Sequence, residues 1–123
     1  MSFLLLKAYW KLIVFDLYVA SGNFAALYRK VRKYPVGNRP EAPGAEQICA
    51  AVDIACIWYW KKALCLQRSA ATTCLLKQYG VTAQMVIGAQ YMPFKAHAWV
   101  ELNGRVINDK PYTPEMYAVL DRC

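Results

Sequence analysis

The chain has a single histidine, His97, inside the stretch FKAHAWVELNGRVIND from Phe94 to Asp109. Imidazole chemistry near neutral pH must run through that residue, because there is no second candidate. Upstream, Cys65 falls in the first turn of an expected helix that opens with Leu64-Cys65-Leu66-Gln67-Arg68-Ser69. Downstream, Asp109 closes a strand expected to pair back onto the histidine strand. Cysteine, histidine and aspartate in that order are the parts of a thiol nucleophile, its base and the base's orienter. A helix N-terminus presents unpaired N–H groups and a positive dipole end, which suits a thiolate. Placement alone leaves the triad open, since five cysteines give five chances for one to fall near a helix start.

Those five, Cys49, Cys56, Cys65, Cys74 and Cys123, form an odd set without framework spacing or a CxxC pair. One histidine cannot complete the common zinc patterns, so no metal and no cofactor is expected. The thiols read as mostly reduced in a cytoplasmic protein. By pattern Cys74 is buried in mid-helix, and Cys123 is terminal and expected to be mobile.

At 123 residues the chain fits one domain with a real core, and its 58% hydrophobic content excludes disorder. Lys+Arg of 15 against Asp+Glu of 8 gives a net charge of +7, which suits an acidic partner. The basic residues do not interleave with aromatics in a nucleic-acid pattern, so an acidic peptide or partner protein is favoured over nucleic acid. The apolar start is interrupted by Lys7, Lys11 and Asp16, too early for a spanning helix, and it lacks the charge order of a secretory signal.

The elements that must position the candidate residues follow in order. Residues 3–19 read as a helix apolar nearly all round, with Lys7 and Lys11 marking its wet edge. It serves either as a packing helix or as a docking surface for a partner protein or a membrane face. A short helix from Phe24 to Val31 follows. Arg29, Lys30, Arg32, Lys33 and Arg39 then run into Pro35, Gly37, Pro40 and Pro43, either a solvated linker or a contact for an acidic partner. Apolar spacing predicts a helix over Ala45 to Lys62, with Lys61 and Lys62 at its C-terminus. The run Trp58-Tyr59-Trp60 reads as core plus rim. A further helix over Cys65 to Tyr79 is stopped by Gly80. Val81 to Gly88 and Phe94 to Leu102 alternate as strands, joined through a loop at Tyr91-Met92-Pro93. Asn103-Gly104 turns the chain into a last strand, Arg105 to Asp109. The expected architecture is α+β, helices first and then an antiparallel sheet.

Register decides whether Asp109 meets His97. A two-residue Asn-Gly loop would pair Leu102 with Arg105, set His97 opposite Lys110 and leave Asp109 on the wrong face. A three-residue loop with Gly104 at a left-handed bulge position would pair Glu101 with Arg105 and His97 with Asp109, ~5 Å apart at Cβ. The bulged hairpin is the predicted one.

Taken together, Cys65-Leu66-Gln67-Arg68-Ser69, Leu75 to Ala83, Val86-Ile87-Gly88, Phe94 to Glu101 and Gly104 to Asp109 resemble the transglutaminase-like B proteins of lasso-peptide biosynthesis. More narrowly, they are similar to the stand-alone leader peptidases of the split type. The resemblance covers about residues 45–109. It implies a small transglutaminase-like (papain-like) fold: residues 1–44 as a helical extension and basic linker packed on the domain, and residues 45–123 as the peptidase core. It also implies a cysteine peptidase that removes the leader from a ribosomally made precursor, near a threonine that is the penultimate leader residue. Cys65 is then the nucleophile, His97 the base and Asp109 its orienter, with the Cys65 backbone N–H as an oxyanion donor. Implied partners are the precursor peptide, a separate PqqD-like leader-recognition protein and an asparagine-synthetase-like cyclase that uses ATP. Arg68, one turn on from Cys65, either touches substrate or braces the helix against an acidic neighbour. Trp99, on the His97 face, either shields the triad or lines the groove. Two rival functions stay open: a non-catalytic scaffold that presents the precursor, and acyl transfer by the same triad.

Overall fold

The computed structural model describes residues 2–37, 44–91, 94–109 and 113–123. The Met92-Pro93 loop and the basic segment beyond Gly37 lie outside the described residues. Four helices are followed by a four-stranded antiparallel sheet of order β3-β2-β1-β4, the expected α+β arrangement. Among the described residues no helix is long and apolar enough to cross a membrane.

In α1 (Ser2–Ala20), Leu4, Ala8, Leu12 and Phe15 recur at helical spacing and are buried against the core, so this helix packs on its own domain. Its outward side differs from expectation. Lys7 and Lys11 are half-buried, their amines 2.9 Å and 2.8 Å from the hydroxyls of Tyr79 and Tyr34. Phe3, Leu6, Trp10 and Leu17 are exposed instead. Helix α2 (Phe24–Arg32) buries Leu27 and Val31, and Asn23 caps its start through the Ala26 N–H.

Helix α3 (Ala45–Trp58) stops four residues before the predicted Lys62. The cause is Tyr59, which turns inward and is 7% exposed, donating its hydroxyl to Asp16 at 2.7 Å. That pull takes the backbone out of helical geometry at the C-cap. Lys61, expected to complement the helix end, pairs with the same carboxylate at 2.8 Å. Trp58 and Trp60 on either side face solvent.

Helix α4 (Cys65–Gln78) is the centre of the molecule, with every residue from Ser69 to Lys77 buried. Gly80, at φ 85°, ends it in a Schellman motif: its N–H bonds to Lys77 O at 3.0 Å and that of Val81 to Leu76 O at 2.9 Å. The Lys77 amine reaches Val31 O at 2.7 Å in a buried bond, tying α4 to a last-turn carbonyl of α2. One apolar cluster joins α1, α2, α3 and α4 with Met85 and Val100 of the sheet.

Strand β1 (Gln84–Tyr91) begins later than Val81 and pairs with β2 (Phe94–Leu102), placing Gly88 opposite His97. The hairpin is not bulged. Leu102 pairs with Arg105 and Glu101 with Val106, across a two-residue turn in which Asn103 and Gly104 both have positive φ. Strand β3 is correspondingly short, Arg105–Val106. Glu101 is buried and accepts the Trp99 indole N–H at 2.9 Å rather than facing Arg105. The final segment, a short helix α5 (Thr113–Met116) and strand β4 (Ala118–Arg122), lies on the far side of β1. Cys123 is buried, and its backbone pairs with Met85 in both directions, at 2.7 Å and 3.3 Å, so the expected loose terminus is a sheet edge.

Candidate active site

Cys65 is the first residue of α4, where backbone N–H groups have no intrahelical acceptor. The helix start is anchored by Gln67, whose carbonyl oxygen accepts the Leu64 N–H at 3.3 Å. Its amide donates to Leu12 O of α1 at 2.7 Å. Gln67 is 1% exposed, so the placement of Cys65 depends on a buried polar tether rather than on apolar packing alone. Of the five cysteines, Cys65 is the exposed one. Burial pushes the Cys49 thiol up to about 11 and the Cys74 thiol up to about 12, which holds both in the unreactive neutral form.

His97 sits in mid-β2, the strand that pairs with β1 on one side and with β3 on the other. Its Nε2 is 2.5 Å from Asp109 Oδ2, with both side chains about a quarter exposed. A carboxylate only accepts, so Nε2 carries the proton of this bond and Nδ1 is the ring nitrogen left for a second partner. Cys65 and His97 line one small cavity of about 90 Å³, walled by Tyr28, Leu66, Ile87 and Ala98. That is about the liquid volume of three water molecules. It is far below the several hundred Å³ that enclose a drug-sized ligand.

The way Asp109 reaches His97 corrects the register expectation. With Leu102 opposite Arg105, a continued ladder would put Asp109 beside Ala98, not His97. The ladder does not continue. Ile107 N still bonds Val100 O at 3.0 Å, but Asn108 then substitutes its side chain for a backbone partner. Asn108 Oδ1 accepts the Val100 N–H at 2.7 Å, Nδ2 donates to Ser69 Oγ at 3.3 Å, and its carbonyl accepts the Arg68 guanidinium. The backbone bends through 107–109 and delivers Asp109 to the imidazole. The partnership stands, therefore, while its predicted cause is replaced.

Arg68 spans Asn108 and Asp53, the latter at 3.6 Å, and so braces α4 against both the Asp109 loop and α3. Trp99 is fully buried and does not line the cavity; its ring lies 6.0 Å from that of His97. Two residues near the site carry no functional signal in the sequence. Asn108 passed as the end of a strand, though its side chain type is the one that mimics backbone groups. Tyr117, whose ring lies 5.3 Å from that of His97, comes from a segment with no strand pattern of its own. Among the described residues no group of three or more His, Cys, Asp or Glu could hold a metal ion.

A sequence model of the transglutaminase-like superfamily matches residues 10–122, nearly the whole chain, and the protein belongs to that superfamily. Among curated proteins it is similar to the microcin J25-processing protein McjB of Escherichia coli, at 39% identity over 59 residues. That match takes in 48% of this chain and 28% of the relative, so the chain spans well under half of the relative's length. Both agree with the resemblance carried by the Cys65, His97 and Asp109 motifs. No solved structure matches.

Proposed function

We propose that this chain is a cysteine peptidase that removes the leader from a ribosomally synthesised lasso-peptide precursor, with Cys65 as nucleophile, His97 as base and Asp109 as orienter. The observation that carries the reading is the 2.5 Å His97–Asp109 bond at the rim of a cavity that Cys65 also lines. Membership of the superfamily and similarity to a microcin-processing protein support it.

The chemistry follows from the geometry. Asp109 accepts the Nε2–H, which holds the tautomer whose Nδ1 lone pair can take the Cys65 proton. The thiolate attacks the scissile carbonyl, and negative charge gathers on its oxygen. The first-turn N–H of Cys65 stabilises that charge. His97 then gives its proton to the leaving amine, and a thioester joins the N-terminal fragment to Cys65. Water, deprotonated by His97, attacks the thioester; the fragment leaves as a carboxylic acid and the thiol is restored. A separate leader-recognition protein delivers the precursor, and an ATP-dependent cyclase acts on the freed core.

The test is to incubate precursor, recognition protein and this chain, and to compare Cys65→Ala. Cleavage should vanish in the variant, and the leader fragment released by the unsubstituted chain should end in an unmodified carboxylate. Cleavage that persists undiminished removes the cysteine-peptidase reading, and a leader fragment capped with an amine would mean acyl transfer instead.

A further inference from the structure

We propose that Tyr117 is a positioning residue for the His97 imidazole, a ring clamp that the C-terminal segment delivers to the site. The inference rests on the reading of His97 as the base. Asp109 secures Nε2 and the side-chain bond secures Cγ, but the ring can still rock about the line through those two atoms and swing Nδ1. Tyr117 supplies the missing restraint. Its ring lies 5.3 Å from the imidazole with 31° between the planes, and Trp99 closes the cluster at 6.0 Å from both. Tilted ring contacts of this kind resist rotation of either ring.

Each member of the cluster is itself fixed. The Trp99 indole N–H is bound by Glu101 at 2.9 Å, and the other Glu101 oxygen faces the Arg122 guanidinium at 3.7 Å. Tyr117 directly precedes β4, whose Ala118 and Val119 pair with Ala89 and Gly88 of β1. Gly88 is also the strand partner of His97. A Cβ at Gly88 would stand 2.6 Å from the Trp99 ring and 2.9 Å from Tyr117 Cβ, so its absence lets both aromatics close over the strand beside the histidine. Strand β4 therefore does more than extend the sheet: it brings a ring against the base, and Nδ1 stays aimed while Cys65 reacts.

The test compares Tyr117→Phe, which keeps the ring, with Tyr117→Leu, which keeps apolar bulk without it. His97 is the only histidine, so the ¹⁵N imidazole spectrum of the whole protein reports on it alone. The wild type and Tyr117→Phe should show one neutral tautomer, protonated at Nε2. Tyr117→Leu should keep that tautomer but show ring signals broadened by exchange between orientations, with kcat for precursor cleavage down about tenfold to hundredfold and KM little changed. Circular dichroism checks the fold, and Tyr117→Met asks the same question should the leucine chain not fold. A ringless variant that folds and keeps the wild-type imidazole spectrum overturns the proposal, as does Tyr117→Phe losing as much as Tyr117→Leu. The spectrum needs no substrate. Undiminished cleavage by Cys65→Ala would thus end the peptidase reading while the spectrum still decided the clamp.

Discussion

His97 Nε2 and Asp109 Oδ2 stand 2.5 Å apart, yet the two residues are partners in no strand ladder. What joins them is Asn108, whose side chain takes over from the backbone at Val100 and Ser69 and bends the chain toward the imidazole.

Replacing Asn108 by alanine should therefore harm both stability and cleavage. It leaves the Val100 N–H without its acceptor in a buried setting, at a cost of about 1–3 kcal/mol. Denaturant unfolding should report that loss. At temperatures where the variant is still folded, kcat should fall by at least tenfold, because Asp109 is no longer held. Wild-type kcat in a folded Asn108→Ala protein would show that Asp109 finds His97 without this brace.

That Cys65, His97 and Asp109 come together was legible from type, order and placement, as was the helix that carries Cys65. The same is true of the stop at Gly80, where a left-handed residue is needed. Features that depend on partners distant in sequence were not legible. Helix α3 ends early because Tyr59 finds Asp16, forty-three residues away. Strand β4 has mostly exposed side chains and no alternation, and owes its existence to the free edge of β1. The hairpin register was not legible for a related reason: two turns fit Asn103-Gly104, and the His97–Asp109 contact that distinguishes them in a regular ladder is reached instead through the Asn108 side chain.

That choice has its own consequence at Gly104. With φ at 78°, a side chain there is strained although the surrounding space is open. Gly104→Ala should cost about 1–2 kcal/mol of stability. It should leave cleavage kinetics close to wild type, because the Asn108 brace and not the turn aims Asp109. A large kcat loss at full folding would restore the turn as the aiming device.

Thiol reactivity should separate the cysteines. Iodoacetamide at about pH 8, followed by peptide mapping, should modify exposed Cys65 first. Cys49 and Cys74 should resist as long as the chain is folded, since burial holds their thiols up to about 11 and about 12. Early labelling of Cys74 would contradict the packing of α4.

The Asp16–Tyr59 bond predicts a pH window. Burial, together with the bond to Asp16, pushes the Tyr59 hydroxyl from its ordinary value near 10 up to about 12. A raised folded value contributes stability that is intact below about 10 and is lost as pH rises toward 12. Burial pushes Asp16 up as well, but hydrogen bonds from Lys61 and Tyr59 and the Lys61 charge outweigh it and hold the carboxyl below its ordinary 3.8. Its contribution is present above that value and is lost on acidification through the lowered one. Urea midpoints between pH 10 and 12 should fall more steeply for the wild type than for Tyr59→Phe; equal slopes would contradict this.

The most direct test of the central claim is to trap the covalent intermediate. Precursor, recognition protein and this chain are mixed, quenched in acid within the first turnover, and digested for mass spectrometry. A leader fragment in thioester linkage to Cys65, absent from both Cys65→Ala and His97→Ala, is the predicted result. Cleaved leader with no adduct at any time, or an adduct on a cysteine other than Cys65, would contradict it.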